Sequence, residues 1–256
     1  MRLRTVSAAL LCGVWLVAGC GGGPQPGTGE GESFPIALKK GRAYLERGVP
    51  EMALPALRRA RELRPDDADV LLLLGMAYDQ SGRPVQALEA LEAARRIRPG
   101  DGRIHNNLGV ALMRLDRLDE ARESFQMALS DLQFPTPEEV HFNLALLYKR
   151  QGSPRAMENA LEQGLRVKPG YVPALLELAE HHRAMGRLDL EQKRLLRVLE
   201  EAPAHRMAME RMVGSLEQEG RAMETVEWLR KIRALDPSGR AGRRATEKLT
   251  ILERNP

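Results

Sequence analysis

Pro65, Pro99, Pro169, Pro203 and Pro237 stand 34, 70, 34 and 34 residues apart. The interval of 70 holds one further unit with two extra residues. Small residues recur in phase with the prolines: Gly41, Gly75, Gly109, Ala145 and Ala179. Tyr44, Tyr78 and Tyr148 follow three places after the first, second and fourth of these. Gly48, Gly82, Gly152, Gly186 and Gly220 recur where a left-handed cap would close a helix. A fixed interval of this length is one supersecondary unit. Such a unit cannot bury its own apolar face, so the copies must stack. Hydrophobic residues make up 43% of the chain but aromatics only 4%. Leu, Ala, Arg and Glu dominate and β-branched residues are sparse, which predicts helices and excludes a sandwich or barrel.

The period and its pattern resemble the tetratricopeptide repeat. Residues 68–101 carry it most clearly: Leu74, Gly75 and Tyr78 on a first helix, Ala87, Leu91 and Ala94 on a second, and Pro99 at the end. Residues 34–67 hold Gly41, Tyr44, Ala53, Leu57, Ala60 and Pro65, and residues 102–135 hold Leu108, Gly109, Ala121, Phe125 and Ala128. Residues 138–171 hold Leu144, Ala145, Tyr148, Leu161 and Pro169. Two weaker units follow at 172–205 and 206–239, the last with Val213 where Gly or Ala is usual. The resemblance implies an all-α, right-handed superhelix of six helix-turn-helix repeats, with first helices lining a concave face. Residues 240–256 are expected to form a capping helix and tail.

The chain opens with a different signal. Arg2 and Arg4 precede an apolar run from Val6 to Ala18. Its 13 residues suit a secretory signal and fall short of the roughly 20 needed to span a bilayer. Leu16-Val17-Ala18-Gly19-Cys20 resembles the bacterial lipobox. The resemblance implies a signal peptide over 1–19, cleavage before Cys20, and diacyl and N-acyl (palmitate-type) chains on Cys20. Two or three acyl chains anchor stably where one does not. Cys12 leaves with the signal and lipid consumes Cys20, so no disulfide is expected. Residues 20–33 then form a Gly-rich tether, with a reach of about 20 Å for its twelve residues after Cys20. Gly21, where an inner-membrane protein of the enterobacterial type carries Asp, favours the outer membrane by analogy.

Little here points to chemistry. Loss of Arg2 and Arg4 lowers the 39 basic residues by two against 35 acidic ones, so the charge says little about partners. With few aromatics and no focused basic stretch, nucleic-acid binding is not expected. His105 and His141 share a slot in successive repeats but read as half-buried packing positions rather than a metal pair. His181 and His182 are adjacent on a helix and diverge. No zinc-protease, nucleophile-elbow or phosphate-loop pattern occurs. Glu138-Glu139 and Glu200-Glu201 read as solvated helix ends. The arginines Arg58, Arg59, Arg61, Arg64, Arg95, Arg96 and Arg98 sit near ends of second helices, where they complement the dipole. Met207, Met209, Met212 and Met223 read as core filling, with an adaptable contact surface as the sharper alternative. We expect no enzyme, no metal, no small-molecule substrate and no cofactor beyond the lipid on Cys20.

What specificity is legible lies in the groove. In the repeat family the second, fifth, ninth and twelfth residues of each unit turn to the concave side. That rule includes Leu38, Arg42 and Leu45, then Leu72, Met76 and Asp79, then Asn106, Val110 and Met113, then Phe142, Leu146 and Lys149. The partner-binding groove is expected at nine of these, Leu38, Arg42, Leu72, Met76, Asn106, Val110, Met113, Phe142 and Leu146. Most are apolar, and an apolar strip fits an extended or helical segment of a partner. The carboxylate clamp of some relatives is incomplete, since only Arg103 and Asn107 match it. Lipid anchor, tether, six repeats and cap together resemble the type IV pilus pilotins. That resemblance implies an outer-membrane, periplasm-facing scaffold that binds a secretin subunit and promotes its assembly. The alternative is a scaffold for another envelope machine, serving peptidoglycan synthesis or polysaccharide export.

Overall fold

The computed structural model describes residues 33–254. The expected signal peptide, Cys20 and the expected tether as far as residue 32 lie outside them. Thirteen helices follow one another among the described residues, without strands. They pair as α1 (Phe34–Glu46) with α2 (Pro50–Leu63), α3 (Ala68–Gln80) with α4 (Pro84–Ile97), and α5 (Gly102–Arg114) with α6 (Leu118–Ser130). Next come α7 (Pro137–Arg150) with α8 (Pro154–Val167), α9 (Val172–Ala184) with α10 (Leu188–Glu201), and α11 (Arg206–Gln218) with α12 (Ala222–Leu235). Helix α13 (Arg240–Arg254) closes the stack.

Local chemistry places the ends. Pro50, Pro84, Pro137 and Pro154 occupy the first helical position of α2, α4, α7 and α8, where the missing N–H is not needed. The Asp67 carboxylate accepts from the N–H groups of Asp69 (3.0 Å) and Val70 (3.1 Å) and starts α3. Asp101 accepts from Arg103 N–H and starts α5. His205 Nδ1 accepts from Ala208 N–H at 3.1 Å and caps α11, a role its sequence position did not reveal. In five units a glycine at φ 65–71° ends the first helix. In the third unit Asp116 takes this conformation, at φ 62°.

Each of the first three pairs is tied at one crossing. A Cβ on Gly41 would lie 2.4 Å from Leu57, one on Gly75 2.4 Å from Leu91, and one on Gly109 2.4 Å from Phe125. The glycines thus admit a large side chain from the second helix, and Leu57, Leu91 and Phe125 are fully buried. Burying one such side chain stabilises by roughly 1.5–3 kcal/mol. Two apolar cores result. One runs from Ala37 to Ala111, the other from Leu112 onward, so they meet within α5. Helix α13 buries Ala241, Ala245 and Leu249 against the last repeat and finishes the second core.

Two details depart from the sequence reading. Glu138 is not a solvated helix end: it is 5% exposed, and Lys168 Nζ donates to its Oε1 at 3.1 Å. The methionine cluster divides, with Met209 and Met212 buried and Met207 and Met223 exposed.

Candidate partner-binding groove

The first helices line one face, with α1 against α3, α3 against α5 and α5 against α7. Charged pairs hold successive first helices in register. Arg103 meets Asp69 at 3.2 Å, Arg114 meets Asp79 at 2.7 Å, and Lys149 meets Glu177 at 2.5 Å. Arg211 meets Glu180 at 2.7 Å, and Lys248 of α13 meets Glu217 at 2.6 Å. Arg98 and Arg103 converge on Asp69 and Asp101. The hydrogen bond from Arg98 pulls the Asp69 carboxyl below its usual range, and that from Arg103 does the same for Asp101. Asp79 moves the other way, because its burial outweighs the Arg114 guanidinium.

One concavity of about 420 Å³ opens on this face. Leu45, Leu72, Leu73 and Met76 supply its apolar side, and Arg42, Arg103, Asn106, Asn107, Gln80 and the carboxylates of Glu46, Asp69 and Glu139 its polar rim. Phe134, Pro135 and Thr136 form a wall. These three come from the loop where the chain carries its two extra residues. The loop is held because Gly102 N–H donates to the Asp131 carboxylate at 2.9 Å, while Phe134 is buried in the second core. Sequence reasoning missed this wall. The only signal was the insertion itself, and an insertion breaks the period that places everything else.

Four of the nine predicted groove residues meet here: Arg42, Leu72, Met76 and Asn106. Leu72 contributes from below, since it is buried in the first core. Leu38 is half-buried and packs on that same core. Val110, Met113 and Phe142 are half-buried too, but they lie against the second core. Phe142 meets the Tyr171 ring edge-on at 6.0 Å, so it packs sideways along the stack. Leu146 is half-buried and outside the concavity. Asn106 Oδ1 accepts from Asn143 Nδ2 at 2.9 Å, which links α5 to α7. Asn107 donates to the Arg103 carbonyl at 2.8 Å. With Arg103 held by two aspartates, the two clamp-like residues are engaged within the protein.

His105 is buried with Nε2 2.7 Å from the Pro99 carbonyl oxygen, and burial lowers the pKa of half-buried His141. Among the described residues no group of three or more His, Cys, Asp or Glu is arranged to hold a metal. No described helix is long and apolar enough to cross a membrane.

The chain belongs to the tetratricopeptide-repeat family. Family models described as tetratricopeptide repeat match residues 38–102, 77–134 and 138–171. Proteins of this class are scaffolds for protein–protein interaction. Among solved structures the chain is similar to PilW, a widely conserved type IV pilus biogenesis factor. Identity is 21% and the TM-score 0.68, over 83% of this chain and 98% of that one. It is similar to pilF of Pseudomonas aeruginosa at 20% identity and TM-score 0.67, over 84% and 97%. A thermophilic tetratricopeptide-repeat protein of Thermus thermophilus matches at 24% and 0.62, over 72% and 99%. No curated protein sequence matches the chain.

Proposed function

We propose that the protein is an outer-membrane lipoprotein, anchored through Cys20 and facing the periplasm, that promotes assembly of a type IV pilus secretin. The observation that carries the binding role is the concavity on the first-helix face, with its apolar side and its Phe134 wall. A half-open pocket of this size, with an apolar floor and a polar rim, receives apolar side chains from a partner segment and meets its polar groups at the rim. The likeness to PilW and pilF extends over most of this chain and nearly all of each of them, and supports the pilus assignment. The lipobox-like run ending at Cys20 supports the anchor.

The mechanism follows from differential affinity. The groove holds an unassembled secretin subunit through an apolar segment that the finished ring buries within itself. Ring formation then removes the ligand from the groove, and the carrier is released. The lipid confines the search for ring partners to the membrane plane.

The test uses the heat-resistant secretin multimer, probed in envelope fractions on denaturing gels. Deletion of the gene is expected to remove the multimer and leave monomer. Cys20→Gly alone is expected to do the same. An undiminished multimer in the deletion strain overturns the secretin role. An undiminished multimer in the Cys20→Gly strain overturns the anchor's part in it.

A further inference from the structure

The two helices of each repeat run antiparallel, so all first helices begin, and all second helices end, along one edge of the stack. The chain enters the fold at that edge. The guanidinium carbon of Arg64, just past α2, lies 4.0 Å from the centre of the Phe34 ring at the start of α1. Ser33, the first described residue, stands there as the cap of α1.

The same edge is unusual in its charges. Arg61, Arg96, Arg166 and Arg233 lie in the last turns of α2, α4, α8 and α12, and all four are exposed. None has a carboxylate within ion-pair distance among the described residues. The carboxylates nearby are mostly engaged: Glu62 by Arg59, Glu92 by Arg95, and Glu200 and Glu201 by Arg197. Asp66 and Glu139 remain as exposed opposing charges, fewer than the four arginines. Interleaved with the arginines are exposed apolar side chains, Leu63, Ile97, Val167 and Leu235. Leu132, on the α6–α7 loop, is 98% exposed. The opposite edge also offers exposed arginines, Arg47, Arg155 and Arg187, but the chain does not enter there.

We propose that the edge holding Arg61, Arg96, Arg166 and Arg233 rests on the anionic phospholipid headgroups of the membrane, with Leu132 and its apolar neighbours entering the interface. The orientation rests on the lipid-anchor reading, because the tether would bring this edge to the surface first. Basic side chains near an anionic surface act additively and are weakened by salt. The first-helix groove then faces sideways, open to a partner in the periplasm or the membrane plane.

The experiment uses the chain from Gly21 onward, which lacks Cys20 and retains both apolar cores. It is floated with phosphatidylcholine vesicles, with and without phosphatidylglycerol, at about 0.1 M salt, where the screening length of about 10 Å is shorter than the helices that separate the two edges. Binding is expected only when phosphatidylglycerol is present. Replacing the four arginines together by Glu is expected to lower the partition coefficient at least about tenfold. Replacing Arg47, Arg155 and Arg187 by Glu is expected to change it by less than about twofold. Far-UV spectra verify that both variants fold. Equal losses in the two variants, or binding independent of phosphatidylglycerol, overturn the proposal. Palmitate labelling of the full chain in cells reads the anchor separately: unlabelled protein overturns the anchor reading and leaves the vesicle result standing.

Discussion

Leu91 fills the space that a side chain on Gly75 would need: a Cβ there would lie 2.4 Å from Leu91 Cγ. The same fit recurs at Gly41 with Leu57 and at Gly109 with Phe125. Gly75→Leu forces both side chains off their rotamers inside a full core. It is expected to cost about 1–3 kcal/mol and to lower the melting temperature by several degrees. Thermal unfolding followed by circular dichroism reads it, and an unchanged curve refutes the crossing.

The third unit ends its first helix on Asp116 at φ 62°, where the other five use glycine. Asp is among the side chains that tolerate this conformation, and Ala is not. Asp116 also pairs with Arg150 at 3.0 Å, but the pair is exposed and contributes little. Asp116→Ala is expected to destabilise by about 1 kcal/mol. Asp116→Gly is expected to hold or raise the midpoint in urea. A pair of variants with equal midpoints would show that the left-handed turn carries no constraint.

These crossings and turns were legible because they repeat. Pro65 and its counterparts give the period, Gly75 and Leu91 the packing, and Gly82 the turn. The features that escaped are single events. Glu138 looked solvated because its neighbours in sequence are polar, yet Lys168, thirty residues on, neutralises it inside the stack. Phe134 lies on the loop that breaks the period, and from there it walls the groove. Of the groove positions chosen by family rule, Arg42, Leu72, Met76 and Asn106 on α1, α3 and α5 gather at the concavity. Phe142 does not, because Tyr171, at the N-terminal cap of α9, takes its ring. Side-chain competition between neighbours is not written in the period.

Glu191 shows the same point at the other end of the chain. It occupies the second-helix slot that Ala53, Ala87 and Ala121 fill in earlier units, and its side chain is wholly buried. Arg183 and Arg211 approach to 3.7 and 3.8 Å. Burial still dominates and raises its pKa above 4.5. A carboxyl with a raised folded pKa holds its proton more tightly folded than unfolded. Stability therefore falls as pH rises from about the unfolded value through the folded one, and is flat below that window. Glu191→Gln cannot ionise. It is expected to raise the melting temperature at neutral pH and to remove this part of the pH dependence, while leaving the midpoint under acid conditions nearly unchanged. Parallel melting-temperature profiles for the two proteins across that window would count against a raised pKa.

Met76 and Phe142 separate binding from packing. Met76 lines the concavity and is half-buried on the rim of the first core, so a carboxylate there meets any apolar segment of a partner. Met76→Glu is expected to weaken capture of a purified secretin subunit at least tenfold, about 1.4 kcal/mol, with a smaller fall in melting temperature than Phe142→Glu. Phe142→Glu removes the edge-on contact with Tyr171 and buries charge against the second core. The lost ring contact alone is worth about 0.5–1.5 kcal/mol, so this variant is expected to lower the melting temperature first. Binding and melting measured together decide between them. If Met76→Glu binds normally while Phe142→Glu loses binding without losing stability, the partner lies along α7 and the concavity walled by Phe134 is not its seat.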